Sequence, residues 1–282
     1  MRNTIAVMNT KGGVGKSTLV LAMAETLSAQ FRKNVLIIDS DSQASVSAML
    51  LTAANLHRLQ SDGLTIVDLL VASVLNNVAV DWPRFVVGGV SDVDEARTVY
   101  LIPSDMQLTL FEREVSKESL HARLRSSIGA LLGHVRSVFD IILIDCPPGL
   151  SVLTESWLRE ADFHFSPTKP DYVSTCGLEV FRRFKGLNPE MGFAENLGVL
   201  VNMKDMQSAV DGDYQKYSVE PGSYTRAHFF GKYPELANLV DNLSDEEIRK
   251  LQRGGHDPAT TAPPARADPR CRARSRTDRS GR

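Results

Sequence analysis

Cysteine is scarce: Cys146, Cys176 and Cys271 are the three in a chain of 282 residues. They are too few and too scattered for a disulfide framework or a metal site, and they suit a reducing, cytoplasmic compartment. No apolar run approaches the ~20 residues that a membrane-crossing helix needs. The first residues are strand-like and lead straight into a loop, so no signal peptide is expected. A strong excess of either charge is also missing. The formal net charge of −2 points the whole chain toward neither nucleic acid nor membrane. That average hides a split: residues 259–282 hold seven Arg and two Asp, a balance of +5, which leaves −7 for residues 1–258.

What is present is an alternation. "TIAVMN", "NVLIID", "TVYLIP", "DIILID", "ADFHFSP" and "LGVLVN" read as strands. They are almost continuously apolar, as strands covered on both faces should be. Helical patterns fit between them, near residues 17–31, 65–72, 116–138, 151–159 and 174–185. Strands alternating with helices predict an α/β fold with a mostly parallel sheet flanked by helices. Ligands in such folds collect at the carboxyl ends of the strands. The alternation stops near Lys204. Beyond it the chain is rich in aromatics, Asp and Gly, with helical spacing at Leu236, Leu239, Val240 and Leu243. After Pro258 it has Arg without Lys and repeated Pro, the composition of a disordered tail. The expected organisation is therefore 1–204, 205–258 and 259–282.

The first strand runs into "NTKGGVGKST", which nearly fits G-x-x-x-x-G-K-[ST], with Thr10 in place of the first glycine. Strand, glycine-containing loop and helix in that order are the context a phosphate loop requires. Gly12, Gly13 and Gly15 permit tight turns that aim N–H groups at phosphate oxygens. The following helix adds its unpaired N–H groups and positive dipole end. Lys16 is placed to neutralise β and γ phosphates, and Ser17 to offer an oxygen to Mg²⁺. Thr18 is either an α-phosphate contact or an ordinary helix-start threonine. In "VLIIDSDSQ", Asp39 and Asp41 lie two apart at a strand end and so share a side. In "FDIILIDCPPG", Asp145 caps an apolar strand, the Walker B pattern that holds Mg²⁺ directly or through water. Cys146 beside it reads as a small packing residue.

The loop Lys11-Gly12-Gly13-Val14-Gly15-Lys16-Ser17 resembles the signature K-G-G-x-G-K-[ST] of the deviant Walker loop ATPases, a SIMIBI-type P-loop NTPase family. "VLIIDSDSQASVS", "IDCPPGLS" and "PTKPDYVSTCGLE" look most like its ParA-type members, over residues 1–204. Ser42 stands where those relatives usually have Pro. The resemblance implies ATP and Mg²⁺ bound between two copies of the chain. Lys11 would reach across to the partner's nucleotide, alongside Lys16; Asp41 would orient the attacking water; Asp39 would support the Mg²⁺ shell; Val14 would belong to the nucleotide cradle. Asn202, ending "GVLVN", matches a position that contacts adenine in some relatives. No helix-turn-helix precedes the loop, so the likeness is to the small form. It implies a cytoplasmic, nucleoid-associated ATPase for chromosome or plasmid partition: an ATP-dependent homodimer that binds DNA non-specifically, is stimulated by a ParB-like partner and needs no membrane. Arg182, Arg183 and Lys185 form either a DNA-binding patch or a solvated helix face. A MinD-like protein- or membrane-positioning ATPase is the alternative. It needs a basic amphipathic helix, for which "LSDEEIRKLQ" is too acidic.

The stretch from about Met206 to Pro258 resembles something unrelated. "VDGDYQ", "AHFFGKYPEL" and "RGGHDP" look like an internal piece of the E1 component of the bacterial pyruvate dehydrogenase complex. The G-D-G motif that in that family precedes Asn-Asn is absent, so His228 receives no catalytic role. The expected arrangement is a C-terminally truncated ParA-like domain fused to a dehydrogenase fragment and an Arg-rich tail. A fusion that does no regulated work is a further alternative.

Overall fold

Val35–Asp39 is buried at every position, as its unbroken apolar run requires when helices cover both faces of a sheet. In the computed structural model, which describes residues 2–203, this segment is β2 of a seven-stranded sheet. The strands are β1 (Thr4–Val7), β2, β3 (Val87–Gly88), β4 (Val99–Ile102), β5 (Ile141–Asp145), β6 (Phe163–Thr168) and β7 (Glu195–Val201). Across the sheet they run β3-β4-β2-β5-β1-β6-β7. Neighbours are parallel except at one edge, where β3 pairs antiparallel with β4. The helices are α1 (Lys16–Phe31), α2 (Ser45–Leu50), α3 (Ala53–Ser61), α4 (Ile66–Leu70), α5 (Leu108–Val115), α6 (Glu118–Val135), α7 (Val152–Glu160) and α8 (Tyr172–Leu187).

Side-chain alternation along the strands sorts the core into two layers. Ala6, Met8, Leu36, Ile38, Ile142 and Ile144 join Trp157 of α7 and the apolar stripe of α6. Val7, Val35, Ile37 and Leu143 join Val20 and Ala24 of α1. In α6 the buried set Leu124, Ile128, Leu131, Leu132 and Val135 has the spacing of one helical face. The same period of two, carried to the strand ends, puts Asp39 and Asp145 on the α1 side of the sheet and Ser40 and Cys146 on the α7 side.

All six expected strands form. β3 was not expected, because two residues carry no readable periodicity. The helix expected over 116–138 starts at Glu118 and ends at Val135. The one expected over 65–72 is α4, capped by a Thr65–Asp68 capping box and continued by a π-helical turn over Val71–Leu75. Three further helices, α2, α3 and α5, went unpredicted. The first two are short and bury few apolar residues, so packing rather than sequence pattern decides them. The segments expected over 205–258 and 259–282 lie outside the described residues.

Leu36, fully buried in β2, tests the core directly. Leu36→Ala should lower unfolding stability by ~2–5 kcal/mol with an unchanged denaturant slope, measured by urea titration.

Candidate functional site

β1 ends at Val7, and the chain enters α1 at Lys16 through the glycine loop. Gly13 (φ 74°) and Gly15 (φ 90°) occupy left-handed backbone that a side chain would strain. A Cβ on Gly15 would also collide with Asn202 Nδ2. The start of α1 has no side-chain cap and no acidic residue in its first turn. Its first amides are therefore free to serve an anion. A cavity of about 720 Å³ opens there. The loop and α1 contribute Gly12, Gly13, Gly15, Lys16, Ser17 and Thr18 to its lining. The segment after β2 contributes Asp41, Gln43, Ser45, Ala48 and Met49, and Pro148 and Met203 complete it.

The three carboxylates differ sharply in their bonding. Asp39 uses both oxygens inside the chain: Oδ2 accepts from Ser47 N (2.9 Å) and Ser47 Oγ (2.6 Å), and Oδ1 accepts from Asp41 N (3.2 Å). Burial still pushes its pKa up to about 6 against those bonds. Ser47 Oγ also accepts from Ser104 N at 3.0 Å, so Asp39 anchors the start of α2 to the end of β4. Asp41 faces the cavity, and its Oδ1 accepts from Gln43 N at 2.9 Å. Asp145 is fully buried, and neither of its oxygens has a hydrogen-bond partner. Burial, with Asp39 next to it, pushes it up to about 7; nearby Ser17 and Lys16 offset part of that rise, and Asp41 adds to it. An orphaned buried carboxylate is a large penalty unless something positive fills the gap. A divalent cation fits, held by Asp145 and the Ser17 hydroxyl. Among the described residues no cluster of three or more His, Cys, Asp or Glu side chains is arranged to hold a metal by itself. Such a cation would take its other oxygens from phosphate and water.

Lys11 is not a cavity-lining residue. Its Nζ lies 2.8 Å from Asp171 Oδ2, while its backbone N donates to Asn9 Oδ1 at 2.8 Å. Asp171 also caps α8, with Oδ1 accepting from Ser174 N at 2.8 Å. Partial burial would raise Asp171, but Lys11 and the Ser174 bonds outweigh it and hold the carboxyl below its usual range. The loop and α8 interlock further along: a Cβ on Gly177 would collide with Thr10 Oγ1. Asn202 closes the loop from the other side, its Nδ2 donating to Val14 O at 3.1 Å. Val14 itself is buried beneath the loop.

Of the residues expected at the site, Gly12, Gly13, Gly15, Lys16, Ser17, Thr18 and Asp41 line one cavity. Asp145 and Asp39 stand behind it, Asn202 and Val14 brace it, and Lys11 is turned away to Asp171. Cys146 is buried, and burial pushes its thiol far up, which fits a packing role. Arg182, Arg183 and Lys185 do not form a free basic face: both arginines pair with Glu179 (3.9 and 3.1 Å), and Lys185 Nζ points inward to His164 Nε2 (3.1 Å) and Ala194 O (3.3 Å). Asn9, Gln43, Ser47, Met49 and Asp171 were not assigned from sequence. Only Asp171 carried a readable signal, an Asp three residues before a Ser at a helix start.

Fold and site together define the class: an α/β P-loop NTPase fold, with the glycine loop at the carboxyl end of β1. The AAA_31 family model, described as an AAA domain, matches residues 2–190, and the chain belongs to that family. A protein of Pseudomonas putida described as uncharacterized is 32% identical over 223 residues, covering 76% of this chain and 74% of that one. A 66-residue stretch is 52% identical to the pyruvate dehydrogenase E1 component of Pseudomonas aeruginosa, covering 23% of this chain but only 7% of that protein. Among solved structures, the fold is similar to an ATP complex of McdA from Cyanothece (TM-score 0.62, 18% identity, 90% of this chain and 94% of that one). It is also similar to a putative plasmid partition protein of Borrelia burgdorferi B31 bound to AMPPNP (TM-score 0.61, 22% identity, 89% and 96%). No helix among the described residues is long and apolar enough to cross a membrane.

The raised carboxylates set a pH dependence. Between about pH 4 and pH 7 the folded, cation-free chain keeps protons at Asp39 and Asp145 that the unfolded chain releases, so stability falls as pH rises through that window. Thermal unfolding in chelator should show this slope. Asp145→Asn should flatten it and raise the midpoint at neutral pH.

Proposed function

We propose that the chain is a ParA-like partition ATPase, which hydrolyses ATP to ADP and phosphate in a site shared by two copies. The observation that carries this reading is the orphaned Asp145 facing Lys16 and Ser17 beneath a doubly lysine-bearing glycine loop. The ATP- and AMPPNP-bound structures of similar fold support it. In this reading the loop amides and the start of α1 cradle the phosphate tail, and Lys16 neutralises it. Ser17 and Asp145 hold Mg²⁺, which when bound offsets charge on the β and γ phosphates. Asp41, at the cavity wall, orients a water for in-line attack. Asp39 contributes to the cation shell through its hold on α2 and Asp41 N. Asn202, which braces the loop through Val14 O, is the proposed contact for the base.

Lys11 has the longest way to go. To meet a second chain's nucleotide it must leave Asp171, so the intrachain pair competes with pairing of the chains. Non-specific DNA is the expected track and a ParB-like protein the expected stimulator. To meet DNA, Arg182 and Arg183 would have to leave Glu179, and Lys185 would have to leave His164 and Ala194 O. The dehydrogenase-like stretch is a fused fragment, and His228 takes no part in the chemistry.

Asp41→Ala protein with ATP and Mg²⁺ should elute from gel filtration as a dimer. Adding Lys11→Ala should return it to monomer while ATP binding, read by equilibrium dialysis, persists. A dimer that survives Lys11→Ala would overturn the shared site. A wild-type chain with no ATP-dependent thermal shift would favour the inactive fusion. DNA and liposome pelleting side by side separates partition from membrane positioning. Because the Lys11–Asp171 pair is about one-third exposed, it contributes at most ~1 kcal/mol. Asp171→Asn should therefore tighten ATP-dependent dimerisation by about two- to fivefold, measured by analytical ultracentrifugation.

A further inference from the structure

Trp157 is fully buried in α7, on the face of the sheet opposite the carboxylates. Its indole Nε1–H donates to Ser40 Oγ at 2.7 Å. Ser40 is the residue between Asp39 and Asp41, and strand alternation turns its side chain away from the cavity that theirs approach. It is fully buried, and its backbone N donates to Asp145 O at 3.0 Å. One residue thus joins three parts: the strand end that bears Asp39 and Asp41, the end of β5 at Asp145, and α7.

The position of α7 makes that junction consequential. The helix begins where the loop after Asp145 ends, and Pro148 of that loop lines the cavity. Ser151, the N-cap of α7, accepts from Thr154 N (3.2 Å) and donates to Glu112 Oε1 of α5 (2.8 Å). α7 therefore has two fixed points, Ser151 on Glu112 and Trp157 on Ser40. The cavity wall carrying Asp41 and Gln43 and the wall carrying Pro148 are bolted together from behind the sheet.

We propose that Trp157 is a positioning residue for hydrolysis: its hydrogen bond to Ser40 holds the Asp39–Asp41 strand end in register with α7 and the Asp145 loop, and so fixes where the attacking water is presented. The proposal rests on the ATPase reading above. Trp157 touches no reacting atom. Its loss leaves the loop amides, Lys16 and Ser17 in place, so nucleotide affinity survives while turnover falls.

The test is a double-mutant cycle. Trp157→Phe keeps an aromatic ring and removes the donor; Ser40→Ala removes the acceptor, so the bond is reached from either end should one variant misfold. Each should lower kcat for ATP about tenfold, the cost of one buried hydrogen bond expressed in the transition state. KM should stay within about twofold, and the double variant should be no slower than the slower single one. Unchanged kcat in both variants, a loss carried by KM, or losses that multiply in the double variant would overturn the proposal while leaving the ATPase reading intact. The chain has two tryptophans, so Trp82→Phe isolates Trp157 as a fluorophore. Its emission should shift when Ser40→Ala removes the acceptor, which reports the bond itself. Wild-type protein that binds ATP without turning it over would overturn the proposed role in hydrolysis. A wild-type chain that binds no nucleotide would overturn the reading of the site, and this proposal with it.

Discussion

Asp145 ends β5 with both carboxylate oxygens unbonded, in a place that water does not reach. A negative charge so placed is stable only beside positive charge, and the surrounding architecture supplies it in fixed positions. β1 and β5 are hydrogen-bonded neighbours, with Val7 opposite Asp145, so the loop leaving β1 must pass over that carboxylate. The loop then delivers Lys16 and Ser17 within its field. Glycine backbone at positions 13 and 15, the uncapped start of α1 and the crowding of Asp39 toward Asp145 all belong to one electrostatic arrangement, which suits a bound cation and anion together.

The two lysines of the loop are treated differently by the fold. Lys16 is buried and directed toward the carboxylates, whereas Lys11 is held outside by a residue 160 positions later in the chain. That pairing links the loop to α8, which Thr10 and Gly177 bring into close contact. α8 spends its own basic residues internally, on Glu179 and on His164. Burial, with Lys185 close by, drives His164 down to about 4, so the ring is neutral and able to accept from the lysine. The helix acts as a brace for the loop more than as an outward-facing charged surface.

Much of this was legible in the sequence, for a physical reason. Strands covered on both sides must be apolar throughout, so "VLIID" and "IILID" announced themselves, and the glycines, Lys16, Ser17 and the terminal aspartates followed at fixed offsets. What was illegible depends on contacts between distant segments. No local pattern says that Ser47 will consume Asp39, that Asp171 will hold Lys11, or that Trp157 will reach Ser40 across 117 positions. Short helices such as α2 leave no periodic trace, so their contributions to the cavity, Ala48 and Met49, stayed hidden. The basic triplet on α8 looked like a charged patch because sequence shows charge and conceals the direction a side chain takes.

The β3 edge of the sheet ends in a two-residue strand running against its neighbour and containing Gly88. At that margin the short, reversed strand leaves little ladder for a strand of another molecule to extend.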